Sequence, residues 1–151
     1  LIRLGLLKHL FSQTEENTFI NASLANTSKR IKAGNSVTPA FLFAVFLWSA
    51  VNKRFSQINK KNKSRIELML QASEDVIKKQ TQQVMMPRWL SSRVKDIWLM
   101  QYQLENYNPK KSNVLIRNPR FRMAYDFLVL RSESIDIDLK AQAQYWTNIQ
   151  K

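Results

Sequence analysis

The stretch Thr38-Pro39-Ala40-Phe41-Leu42-Phe43-Ala44-Val45-Phe46-Leu47-Trp48-Ser49-Ala50-Val51 decides the fold class. Thr38 suits an N-cap, and Pro39 fits the first helical position, where its missing N–H leaves no bond unmade. The run that follows is apolar on every face, so a helix there must be buried all round, in lipid or in protein. Crossing a hydrocarbon core takes about 20 apolar residues. This run ends sooner, at Asn52-Lys53-Arg54. We therefore expect a central core helix whose aromatics serve packing and not a cofactor.

The composition agrees with an all-α chain. Two Gly and four Pro among 151 residues are too few for a turn-rich sandwich or a glycine loop around phosphates. A chain of this length makes about one domain and buries roughly 70% of its unfolded surface. With no Cys, disulfides, thiolate nucleophiles and Cys-type zinc sites are excluded. The 24 Lys and Arg against 11 Asp and Glu leave a net charge of +13. That balance points to polyanionic partners, nucleic acid first and an anionic membrane surface second.

Upstream of the core helix, Leu1 to Phe11 has helical spacing, without an initiator Met or a capping residue, as in a piece of a longer polypeptide. The polar Ser12-Gln13-Thr14-Glu15-Glu16 that follows does not suit a signal peptide. His9, the single histidine, lacks partners for catalysis or metal binding and reads as a surface or packing residue. A helix is predicted from about Asn17 to Ala33, with Phe19, Ile20, Leu24 and Ile31 on one face and Gly34 as its C-cap. Lys29, Arg30 and Lys32 in its last turn complement the helix dipole.

Downstream, Asn52 to Arg65 carries six cations and no acid, the pattern of a solvated linker. Ser64-Arg65-Ile66-Glu67 then reads as a capping box opening a helix to about Gln82, with Ile66, Met69, Leu70, Ser73, Val76 and Ile77 inward. From Pro87 to about Gln103 the stripe Leu90, Val94, Ile97, Trp98, Gln101 and Leu104 is expected to pack on the core. Arg88, Arg93 and Lys95 lie off it, free either to sit in water or to hold phosphates. After a loop at 106–111 and a short helical segment to Arg117, Pro119 is expected to open a helix with Phe121, Ala124, Tyr125 and Leu128 buried. Arg120 and Arg131, eleven residues apart, would share a face about 16 Å apart along its axis, and Arg122 and Asp126 would pair at i,i+4. From Arg88 to Arg131 there are three acids against nine bases. Internal pairing cannot satisfy them all, which favours an outside anion. Glu133, Asp136 and Asp138 precede the last helix, expected over Ile137 to Gln150, where acids suit the dipole. We divide the chain into a helical body, residues 1–84, and a C-terminal basic helical region, residues 85–151, with seven to eight helices around the buried central one.

Three motifs occur in order: Thr-Pro-Ala-Phe-Leu-Phe-Ala from Thr38, Pro-Arg-Trp-Leu-Ser with Arg-Val-Lys-Asp-Ile-Trp from Pro87, and Asn-Pro-Arg-Phe-Arg-Met-Ala-Tyr-Asp-Phe-Leu-Val-Leu-Arg from Asn118. Together they resemble the C-terminal half of the bacterial poly(A) polymerase I family, class II nucleotidyltransferases and siblings of the CCA-adding enzymes of transfer RNA. The resemblance implies a polynucleotide adenylyltransferase parent, a cytoplasmic enzyme that adds AMP from ATP to RNA 3′ ends without a template. Its two metal-binding carboxylates belong to an N-terminal head marked by Gly-Ser and Asp-x-Asp, a pair that does not occur here. Mg²⁺ and ATP are thus expected at that head, with no cofactor, catalytic residue or metal ligand in this chain. Its partners would be single-stranded RNA 3′ ends and its own head, and no membrane. The loop at Tyr107-Asn108-Pro109-Lys110-Lys111 is poorer in arginine than the family's.

The residues expected to grip RNA without reading bases are Arg88, Arg93, Arg117, Arg120, Arg122 and Arg131, with Lys53 and Arg54 beside them. Removing the charges of Arg120 and Arg131 together should weaken binding to all single strands alike. Tyr107 and Trp89 are candidates to stack bases. Two other readings stay open: the body of a CCA-adding enzyme, and a basic helical module docking on an acidic protein or membrane surface.

Overall fold

The computed structural model describes residues 18–34 and 38–151. The N-terminal segment with His9 and the expected helix start at Asn17 lie outside the described residues. Seven α-helices are present among those described: α1 (Thr18–Lys32), α2 (Pro39–Gln57), α3 (Arg65–Thr81), α4 (Arg88–Glu105), α5 (Ser112–Arg117), α6 (Phe121–Ser134) and α7 (Lys140–Ile149). Single 3₁₀ turns at Pro109–Lys111 and Ile137–Leu139 lead into α5 and α7. The expected all-α class is observed.

Local chemistry sets most helix ends. Pro39 occupies the first turn of α2 after Thr38, whose side chain makes no capping bond. The capping box of α3 is complete: Ser64 Oγ accepts from the Glu67 amide at 3.2 Å, and the Glu67 carboxylate accepts from the Ser64 amide. Gly34, just past α1, adopts φ +79°, the left-handed conformation that a helix stop asks of glycine. Helix α6 begins at Phe121, two residues after Pro119, because Asn118 closes a turn: its side chain accepts from the Arg120 amide at 2.9 Å and its carbonyl from Phe121 at 2.9 Å.

Helix α2 packs on α1, α3, α4 and α6, the place expected of a core helix. It is not buried all round. Ser49, Asn52, Lys53 and Ser56 form an open stripe, and the helix runs to Gln57 through residues expected to be linker. A helix with one wet stripe keeps its second half amphipathic while Ala44, Val45, Leu47 and Val51 are fully enclosed. The inward set of α3 is corrected in the same sense: Met69, Ser73, Val76 and Ile77 are buried, whereas Ile66 and Leu70 are exposed.

Two apolar clusters share the interior. One gathers α1, α2, α3 and the first half of α4; the other gathers the end of α4, the first half of α6, Leu139 and α7. Helix α6 reaches both, since Phe127 and Leu130 enter the first and Phe121, Ala124, Tyr125 and Leu128 the second. The Phe127 ring meets Phe19, Phe41 and Trp48 edge-on at 5.2, 6.0 and 5.2 Å. Buried indoles are tied to backbone: Trp98 Nε1 donates to Ala44 O at 3.1 Å and Trp146 Nε1 to Leu104 O at 2.9 Å. The first cluster runs across residue 84, with Met86, Leu90, Val94, Ile97 and Trp98 packed against residues from α1 to α3.

Candidate nucleic-acid interface

The outer side of α4 follows from its inner side. Leu90, Val94, Ile97, Trp98, Gln101 and Leu104 are buried as the stripe predicts, so Trp89, Arg93 and Asp96, at i, i+4 and i+7, line an adjoining stripe. Trp89 is 53% exposed. The Arg93 guanidinium lies over its ring, 5.0 Å from the centroid. Asp96 accepts from Arg120 Nε at 3.4 Å, drawing the turn before α6 onto this stripe. Arg88 in the first turn is exposed and has no ion pair among the described residues.

The α6 arginines divide sharply. Arg122 points out, with 72% of its side chain accessible, in the expected i,i+4 pair with Asp126 at 3.4 Å and over the Tyr125 ring at 5.4 Å. Arg131 does the opposite, and its expected place on an RNA-facing surface is corrected. Only 6% of its side chain is accessible. Its Nη1 donates to Glu105 and Gln101 at 2.9 and 2.8 Å, its Nε to Asp136 at 2.9 Å, and its plane lies 4.8 Å from the Trp48 ring centroid. Two carboxylates, the Gln101 side-chain carbonyl and one aromatic face thus hold the guanidinium inside. A signal was present in the spacing: 121, 124, 128 and 131 continue one stripe, so the buried edge of α6 runs into Arg131.

Asp126 lies between charge and apolar packing. Burial pushes its carboxyl above the usual carboxylate range, against the pull of the Arg122 and Arg30 guanidiniums. It lines an open groove of about 630 Å³ between α1 and α6, together with Asn26, Arg30, Arg122, Tyr125 and Glu133.

The remaining candidates stand apart. Arg117 is exposed at the end of α5, following exposed Lys110 and Lys111. Arg54 pairs with Asp75 at 2.9 Å, while neighbouring Lys53 is exposed without an ion pair among the described residues. Tyr107 is half-buried in packing: its ring stacks on Tyr145 at 3.7 Å and meets Trp146 edge-on at 6.1 Å, so one of its faces is already taken. Sequence reasoning missed Arg65, which lies over both Phe55 and Tyr102 at 5.2 and 5.0 Å, with Lys60 over Phe55 at 5.5 Å. Phe55, with Ile58 the only apolar residue beside it in a run otherwise polar and cationic, was the available clue. The described residues contain no group of three or more Asp, Glu or His placed to hold a metal.

The site thus consists of surface arginines, one of them over an exposed tryptophan, on an all-α scaffold. Residues 51–151 match the family described as polymerase A arginine-rich C-terminus. The chain belongs to this family. Similar curated proteins are poly(A) polymerase I of Salmonella typhi, 30% identical over 84% of this chain, and that of Escherichia coli O6:H1, 29% identical over 87%. Poly(A) polymerase I of Haemophilus influenzae is 24% identical over 95%. The chain spans only 28% of the length of the Salmonella relative and 33% of the Haemophilus one. In this arginine-rich domain the arginines hold two different posts: Arg131 ties helices together from inside, whereas Arg88, Arg93, Arg117 and Arg122 face outward or half outward.

Proposed function

We propose that this chain is the RNA-binding C-terminal part of a poly(A) polymerase, holding single-stranded RNA while a catalytic head elsewhere in a longer polypeptide adds AMP from ATP to the 3′ end. The observation that carries it is a charge surplus with no internal use: the net charge is +13, and Arg88, Arg117 and Lys53 are exposed without an ion pair among the described residues. Phosphates supply the missing counter-charge. An extender of diverse RNAs must grip backbone and not bases, and Lys and Arg provide such a grip. The relatives, all poly(A) polymerases, favour this role over a CCA-adding body.

Adenylyl transfer by two metals needs carboxylates that clamp Mg²⁺. Among the described residues no acids gather in a group placed to hold a metal, and Asp75, Asp96, Glu105, Asp126 and Asp136 are each paired with an arginine. We therefore assign Mg²⁺ and ATP to the head and derive no bond-making step from these residues. The proposed partners are RNA and the head itself, in the cytoplasm, within RNA processing. No helix among the described residues is long and apolar enough to cross a membrane.

The test is fluorescence anisotropy of a labelled oligo(A) and a mixed-sequence oligonucleotide over a salt series. Similar affinity for both, with log K falling by about 0.7 per phosphate neutralised for each decade of salt, is the expected result. A folded chain that binds neither at low salt, yet sediments with anionic liposomes, would overturn it in favour of a membrane-docking module.

A further inference from the structure

We propose that Trp89 and Arg93 form a base-stacking platform, on which an unpaired nucleobase of the RNA lies against the indole while Arg93 and Arg120 take the adjoining phosphates. This rests on the RNA-binding role proposed above and adds a contact that charge alone does not provide.

The four tryptophans separate cleanly. Trp48, Trp98 and Trp146 are 7%, 1% and 0% exposed, and Trp98 and Trp146 bond backbone carbonyls; Trp89 alone is 53% exposed. The buried stripe of α4 is complete without it. The wide Trp89 ring offers a flat apolar face at the surface beside a guanidinium, the pairing that sequence-tolerant stacking on single strands uses. What lies beside it is cationic: Arg93 over the ring at 5.0 Å, and beyond it Arg120 on Asp96 at 3.4 Å. One carboxylate against two guanidiniums leaves net positive charge along the stripe. From Trp89 to Asp96 the rise is about 10 Å, so ring and arginines lie within reach of neighbouring nucleotides of one strand. An aromatic face next to arginine suits a nucleobase with its phosphate, because every base has a π-face and stacking tolerates sequence. An acidic protein partner would satisfy the arginines but would leave the indole unexplained.

Because the other three indoles are buried, quenching of the chain's tryptophan fluorescence reports on Trp89. Titration with oligo(A) should quench that emission, and an abasic ribose-phosphate strand of equal charge should bind more weakly without quenching. Trp89→Ala should weaken oligo(A) binding about tenfold with the salt slope unchanged, and Trp89→Phe should restore most of the loss. Arg93→Gln should instead make the slope shallower by about 0.7. Circular dichroism confirms that the variants are folded. Undiminished affinity of folded Trp89→Ala, or equal binding of abasic and base-bearing strands, overturns the platform and leaves the backbone-gripping role standing. Failure of every strand to bind the unaltered chain overturns both.

Discussion

Arg131 and Arg120 are both arginines of the α6 segment, yet their surroundings assign them opposite work. Removing Arg131 would leave Glu105 and Asp136 facing each other's field without a cation and would uncover one face of Trp48. Breaking a buried pair in this way costs about 3–5 kcal/mol. We expect Arg131→Ala to lower the urea midpoint by a corresponding amount, with the loss visible before any RNA is added. Arg120 has 34% of its side chain accessible and one partially exposed carboxylate partner. Its replacement by Gln should cost no more than about 1 kcal/mol of stability and act mainly on RNA affinity. Joint removal of both charges would therefore confound unfolding with binding.

Asp126 gives a pH signature. Its carboxyl is raised in the folded chain, so the folded state holds that proton more tightly than the unfolded state does. Its contribution is most favourable below the ordinary carboxylate pKa. It declines as pH rises through the folded value, and stays at the lower level at neutrality. Asp126→Asn should abolish that decline, so that thermal melts from pH 4 to 7 show less loss with rising pH than the unaltered chain. A steeper loss in the variant would refute the assignment.

Among the elements, α6 is the one on which both clusters depend. Phe127 is fully buried and meets three rings from α1 and α2. Phe127→Ala should cost about 3–5 kcal/mol, the usual result of deleting an enclosed ring, and should loosen α1 in hydrogen exchange. The cap of α3 is a smaller, local device. Ser64→Ala removes one half of the reciprocal pair with Glu67 and should cost about 1 kcal/mol, read as a lower melting temperature with unchanged RNA affinity. The helices themselves were legible in the sequence because 3.6 periodicity and capping residues are local signals. Residues 52–57, expected as linker, continue α2 because Val51 and Phe55 extend its packed face, and charge density carries no information on helix continuity.

At the level of the whole molecule, charge acts as a sum. Single replacements Lys53→Gln, Arg88→Gln and Arg117→Gln should each weaken binding to oligo(A) and to mixed sequences alike. Each should make the salt dependence shallower by up to about 0.7 if that residue holds one phosphate. A loss confined to one sequence would contradict a backbone grip. The charge surplus on which the proposed RNA grip rests is kept at the surface by the fold: apolar stripes meet in two clusters and leave cations on the flanks of α4, α5 and α6. The helical class, the buried stripes of α4 and α6, the Ser64 cap and the large positive charge are all legible in the chain's residues alone, since each depends on neighbours within a few residues or on a plain sum. The partners of Arg120 and Arg131 come from contacts between separate elements, which only the tertiary structure decided. Glu105 and Asp136 come to Arg131 from separate elements, and Asp96 comes to Arg120 across 24 positions of chain. The 121, 124, 128 and 131 spacing points Arg131 inward, but which carboxylates come within hydrogen-bond distance of it, and so hold it as a structural tie, depends on contacts between separate elements that spacing along one helix does not contain.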